Sequence, residues 1–98
     1  MLVIDIQNTY LEVPDNPTEA ARWAPFLERM NGQVIPGTAT LIDKSRKAGF
    51  EIIYARIACL TEDGRDRSLS QKKPGFNYLL LPKDRQDSQL VPELMPQD

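Results

Sequence analysis

The residue types best suited to chemistry stand at the head of the chain. In Leu2-Val3-Ile4-Asp5-Ile6-Gln7-Asn8 a carboxylate follows three aliphatic residues and is itself followed by two carboxamides. A carboxylate delivered by an apolar strand is costly unless it is paired or put to work, so Asp5 is the leading candidate for a general base. Gln7 and Asn8 are suited to orienting that carboxylate and the following loop, or to touching substrate. Tyr10 either lines the same pocket or packs beside it. Arg56 is a charged residue in the apolar stretch Ile52-Ile53-Tyr54-Ala55-Arg56-Ile57. Its fork of donors fits a substrate carboxylate or ureido oxygen, and equally an ion pair with Glu62 or Asp63. Asp5 is thus the expected catalytic residue, with Gln7, Asn8, Tyr10 and Arg56 as expected substrate-binding residues.

Other chemistry is poorly provided for. The chain has no histidine and one cysteine, Cys59. Neither a disulfide within the chain nor a zinc spacing is available, and the commonest metal ligand and general base is missing. No metal and no cofactor are expected. Cys59 lacks a histidine to activate it and reads as a small buried residue rather than a nucleophile.

Asp5 and Arg56 must be brought together by secondary structure. Leu2-Val3-Ile4 predicts a short buried strand. Residues 11–25 contain Pro14, Pro17 and Pro25 around Asp15-Asn16, which predicts a loop or insertion with at most short helical turns near Thr18 and after Pro25. Over residues 34–48, Val34, Ile35, Thr38, Leu41, Ile42, Ser45 and Ala48 recur at spacings of three and four and predict a helix. Pro36 suits its first turn, Lys44, Arg46 and Lys47 its negative end, and Gly49 its termination. Residues 50–57 follow as a near-continuous apolar run, the pattern of a strand covered on both faces. Strand, helix and strand make a βαβ unit whose parallel strands end on the same edge, where α/β sheets bind their ligands.

The remaining chain is less regular. Residues 61–68 are strongly polar and predict a loop above that edge, its Arg65 and Arg67 solvated. Lys72-Lys73-Pro74-Gly75 predicts a turn, and residues 87–94 a short capped helix with only weak order.

Composition bounds the partners. Ninety-eight residues support one small domain, and a net charge of -2 with 27% charged residues argues for neither a nucleic-acid nor a membrane partner. The apolar runs are too short to span a bilayer, and the N-terminus lacks the basic region of a secretory signal, so a cytoplasmic location is expected.

The segment Leu2-Val3-Ile4-Asp5-Ile6-Gln7-Asn8 resembles the opening signature of the isochorismatase-like cysteine hydrolases, an L-h-h-D-h-Q-N strand (h apolar) ending in the catalytic aspartate. The resemblance extends through residues 34–57, through Glu62-Asp63-Gly64-Arg65-Asp66, and through Leu90-Val91-Pro92-Glu93-Leu94-Met95-Pro96, which is similar to the family's E-L-x-P segment. It implies an α/β fold, a three-layer α/β/α Rossmann-like parallel sheet, of which residues 1–98 hold the N-terminal βαβ part of a single domain. It also implies cleavage of a C–N bond in a small amide, ureido or carbamoyl compound by an aspartate, a lysine and a cysteine. Only the aspartate, Asp5, matches. The family's lysine and cysteine would fall beyond Asp98, so a larger protein or a truncated gene product is expected, with a homo-oligomer or the remainder of the same domain as partner. The metal-dependent nicotinamidase-type branch is disfavoured, because Arg56-Ile57-Ala58-Cys59-Leu60-Thr61 has no Asp-x-His arrangement. Two alternatives remain: a catalytically incomplete paralogue acting as a binding or assembly partner, and a haloacid-dehalogenase-type phosphatase. Gln7 weakens the phosphatase, since an amide stands where an acid must protonate the leaving group.

Overall fold

The structure is a computed structural model that describes residues 1–73 and 79–97. Strand β1 (Leu2–Ile4) pairs in parallel with β2 (Ile53–Ala55), in the register Leu2 with Ile53, Val3 with Tyr54 and Ile4 with Ala55. The helix between them completes the expected βαβ crossover. The chain is therefore mixed α/β, built on a two-stranded parallel sheet.

Residues 11–25 depart from expectation. A 3-10 turn spans Asn8–Leu11, and α1 then runs over Pro17–Arg29. The prolines start this helix rather than prevent it. Asn16 caps it, its Oδ1 accepting the N–H groups of Thr18 at 2.9 Å and Glu19 at 3.2 Å. Pro17 stands at the first turn, where no N–H partner is needed. Pro25 lies inside α1 and forfeits one backbone bond, which the packing of Leu27 and Met30 offsets.

A π-helical turn, Met30–Val34, joins α1 directly to α2 (Ile35–Lys47), and the N–H of Ile35 reaches back to the carbonyl of Met30. The wide turn immediately precedes Pro36, which has no N–H to continue the ladder. Helix α2 ends as expected, with Gly49 left-handed at φ 82° and Lys44, Arg46 and Lys47 in its last turn.

The core lies on one side of the sheet. Val3 packs with Ile35 and Ile42 of α2 and with Val91 and Leu94 from the far end of the chain, and Ile52 and Tyr54 add to the cluster. Residues 87–94, expected to be weakly ordered, thus supply two of its most buried side chains. They form 3-10 turns over Gln86–Ser88 and Pro92–Leu94. The stretch between them lies antiparallel to the end of β1, with the N–H of Asn8 donating to the carbonyl of Gln89 and that of Val91 to Ile6.

The other side of the sheet is uncovered within these residues, as expected of this chain taken by itself, although residues 50–57 carry the pattern of a strand covered on both faces. Leu2 is 62% exposed, Ile4 57% and Ile53 50%, because α2 covers only one face. The radius of gyration, 15.4 Å, exceeds the roughly 13 Å of a compact chain of this size.

Beyond β2, Cys59 is buried and bridges to Pro82, its N–H donating to the carbonyl of Leu81. The loop after it is folded around Asp66, and a short helix α3 (Leu69–Lys72) follows with a Ser68/Gln71 capping box. Pro74 and Gly75 of the expected turn lie outside the described residues. Among the described residues no helix is long and apolar enough to cross a membrane.

Candidate active site

Asp5 is placed by the sheet. Its N–H donates to the carbonyl of Ala55 at 2.9 Å, extending the parallel ladder by one bond. Its backbone then turns left-handed, at φ 57°, unlike any other described non-glycine residue. For an L-residue this conformation costs on the order of 1 kcal/mol, although aspartate tolerates it better than most. The turn ends β1 and releases the carboxylate at its carboxyl edge. Among the described residues, that carboxylate has no hydrogen-bond or ion-pair partner.

Asp5 opens into a cavity of about 500 Å³, within the range of small-molecule sites. The floor is the end of β1 and the turn after it, including Ile6, Gln7 and Tyr10. The far wall is α1, which contributes Trp23, Phe26, Leu27 and, at the π turn, Met30. Trp23 and Phe26 meet edge to face, with ring centroids 5.6 Å apart and planes at 79°. Burial, together with the charge of Asp5, raises the Tyr10 phenol above its ordinary 10.0, so it stays a neutral donor at physiological pH.

The expected site residues divide into two groups. Asp5, Gln7 and Tyr10 meet at the cavity. Gln7 is fully buried and its carboxamide is already committed: Nε2 donates to the carbonyls of Ile57 at 2.8 Å and Ser88 at 2.7 Å, and Oε1 accepts the N–H of Ile57 at 2.9 Å. Both amide protons are used, so Gln7 shapes the floor and has no proton left for a ligand. Asn8 and Arg56 stand apart from the cavity. Asn8 Nδ2 donates to the carbonyl of Gln86 at 2.8 Å. The Arg56 guanidinium donates to the carbonyl and hydroxyl of Ser88 at 2.9 and 3.0 Å and to the carbonyl of Lys83 at 3.0 Å. Its partners are neutral oxygens rather than Glu62, Asp63 or a ligand, and they tie the end of β2 to the C-terminal segment.

The α1 residues were not among the expected site residues. Their signal is nevertheless present, since Trp23, Phe26, Leu27 and Met30 recur at helical spacings of three, one and three. Three prolines within residues 14–25 outweighed it. The polar loop also differs from a solvated charge run. Arg67 is half-buried and donates to the carbonyls of Gly64 at 3.0 Å and Leu79 at 2.9 Å, while Arg65 is exposed. Cys59 donates its thiol to the carbonyl of Thr61 and lies outside the Asp5 cavity. Compared with protein-family models, with curated proteins and with solved structures, the chain matches none.

Proposed function

We propose that this chain is the N-terminal part of an isochorismatase-like cysteine hydrolase domain, and that Asp5 is the general base for cleaving a C–N bond in a small amide, ureido or carbamoyl compound. The observation that carries the reading is the Asp5 carboxylate itself: unpaired, held in a strained left-handed turn at the carboxyl edge of a parallel sheet, and facing a cavity. Strain of this kind persists where the surrounding structure imposes it, and it concentrates at functional sites.

The chemistry assigns Asp5 one proton. A thiol supplied from outside these residues loses its proton to the carboxylate and attacks the substrate carbonyl carbon. As the C–N bond breaks, Asp5 returns that proton to the departing nitrogen, and water then hydrolyses the thioester. A lysine, also from outside, stabilises the thiolate and carboxylate as a pair. In the full three-layer α/β/α arrangement the open face formed by Leu2, Ile4 and Ile53 would be covered by further helices. The test is Asp5→Asn in the full-length protein: ammonia release from amide or ureido substrates is expected to fall by at least about a thousandfold with the fold intact. Unchanged turnover overturns the role.

A second reading draws on the same exposed face. A catalytically incomplete paralogue would use Leu2, Ile4 and Ile53 as an assembly surface, since contiguous exposed apolar residues mark interaction sites. It is favoured if the full-length protein forms a stable complex and releases no ammonia.

A further inference from the structure

The cavity beside Asp5 has a charge pattern that selects among amides. Its titratable lining consists of two carboxylates, Asp5 and Glu12, and the Tyr10 phenol, with neither lysine nor arginine among the described residues around it. The rest is mainly apolar, and its α1 wall presents two large aromatic rings to solvent, Trp23 at 47% and Phe26 at 40% exposure. An apolar ligand group set against these rings removes their surface from water, while an N–H group at the other end donates to Asp5. An anionic group held at the α1 wall meets the Glu12 carboxylate with no cation of these residues beside it, while the lysine of the hydrolase reading is engaged with the thiolate and Asp5.

The geometry points to the α1 wall as a substituent subsite: the compound taken is an amide or urea that carries an aryl or bulky alkyl group and no anionic group, with that group held against Trp23 and Phe26. The amide end of this assignment rests on the hydrolase reading above. The aromatic grip does not.

Trp23 is the single tryptophan of the 98-residue chain, so the fluorescence difference between the parent protein and Trp23→Phe reports on the subsite. Titration of the full-length protein with phenylurea is expected to give a saturable change that disappears in Trp23→Phe. Phe26→Ala is expected to weaken phenylurea binding about tenfold with the fold retained, since Phe26 is exposed, and circular dichroism checks the fold directly. The matched anion, 4-carboxyphenylurea, is expected to bind at least about tenfold more weakly than phenylurea, and Glu12→Gln to narrow that gap. No saturable response to phenylurea, or equal or tighter binding of the carboxylated compound, overturns the subsite. Phenylurea binding without ammonia release would overturn the hydrolase and leave the subsite standing. Ammonia release from small amides with no Trp23 response would do the reverse.

Discussion

Gln7 and Ile57, fifty positions apart in sequence, bond to one another as neighbouring strands do. The Gln7 carboxamide gives one N–H to the Ile57 carbonyl and takes the Ile57 N–H in return, at 2.8 and 2.9 Å. A side chain thus continues the parallel ladder beyond the point where Asp5 turns left-handed and the β1 backbone leaves it. The second Gln7 proton goes to the Ser88 carbonyl, so one buried amide joins three segments.

Gln7→Leu leaves the Ile57 carbonyl and N–H without their partner, while the Ser88 carbonyl keeps its bond from Arg56. At about 1 to 3 kcal/mol for each unsatisfied group, the loss is expected to reach about 2 kcal/mol or more, read as a lower urea midpoint. Gln7→Glu is the sharper test, because an ionised carboxylate would face the carbonyls of Ile57 and Ser88. The folded state then raises the pKa of the introduced carboxyl above its unfolded value. Stability of that variant relative to the parent is therefore expected to fall as pH rises from about 4 to 7. A pH-independent difference would contradict the arrangement.

Asp5→Gly separates stability from activity. Glycine adopts a positive φ freely but has more unfolded-state entropy to lose, and the balance is an expected gain of about 0.5 kcal/mol in thermal or urea unfolding. Ammonia release is expected to vanish in the same variant. A clear loss of stability would show that the left-handed turn at Asp5 carries no strain.

The loop after Cys59 has its own pH signature. Asp66 accepts the N–H of Leu60 at 2.7 Å, the hydroxyl of Thr61 at 2.6 Å and the N–H of Thr61 at 3.1 Å. These bonds, the one from Leu60 foremost, lower its pKa from 3.8 to about 2. Because the folded value lies below the unfolded one, the contribution is fully present above the unfolded pKa and is lost as pH falls through the folded one. Amide-exchange protection at Leu60 and Thr61 is expected to decline as pH falls from 3.8 towards about 2, and Asp66→Asn to abolish that dependence.

Gly64→Ala tests the same loop sterically. Gly64 is left-handed at φ 67°, and a Cβ there would lie 2.5 Å from both Arg67 Nε and Leu80 Cδ1. A cost of about 2 kcal/mol is expected from the conformation and the displaced neighbours together. Retention of full stability would mean that the Arg67 clamp can be vacated without loss.

Much of this arrangement is legible in the sequence. The β1 strand, the helix ending at Gly49, the parallel partner strand and the position of Asp5 at the carboxyl edge each follow from local periodicity, capping residues and the handedness of a βαβ crossover. Helix α1 was obscured because Pro14, Pro17 and Pro25 carry strong turn signals, although Asn16 and Pro17 are a good helix start. The roles of Asn8 and Arg56 could not be read locally, since their partners Gln86, Lys83 and Ser88 lie far along the chain.

The sequence by itself determined that a carboxylate would emerge at the carboxyl edge of a parallel strand pair, because hydrophobic spacing and chain chirality act over short stretches. Only the tertiary structure decided what surrounds that carboxylate: an aromatic helix wall, a Gln7 clamp whose protons are spent, and an arginine turned toward backbone oxygens. Those outcomes depend on which distant polar groups are buried together and must satisfy one another, and no local pattern encodes that pairing.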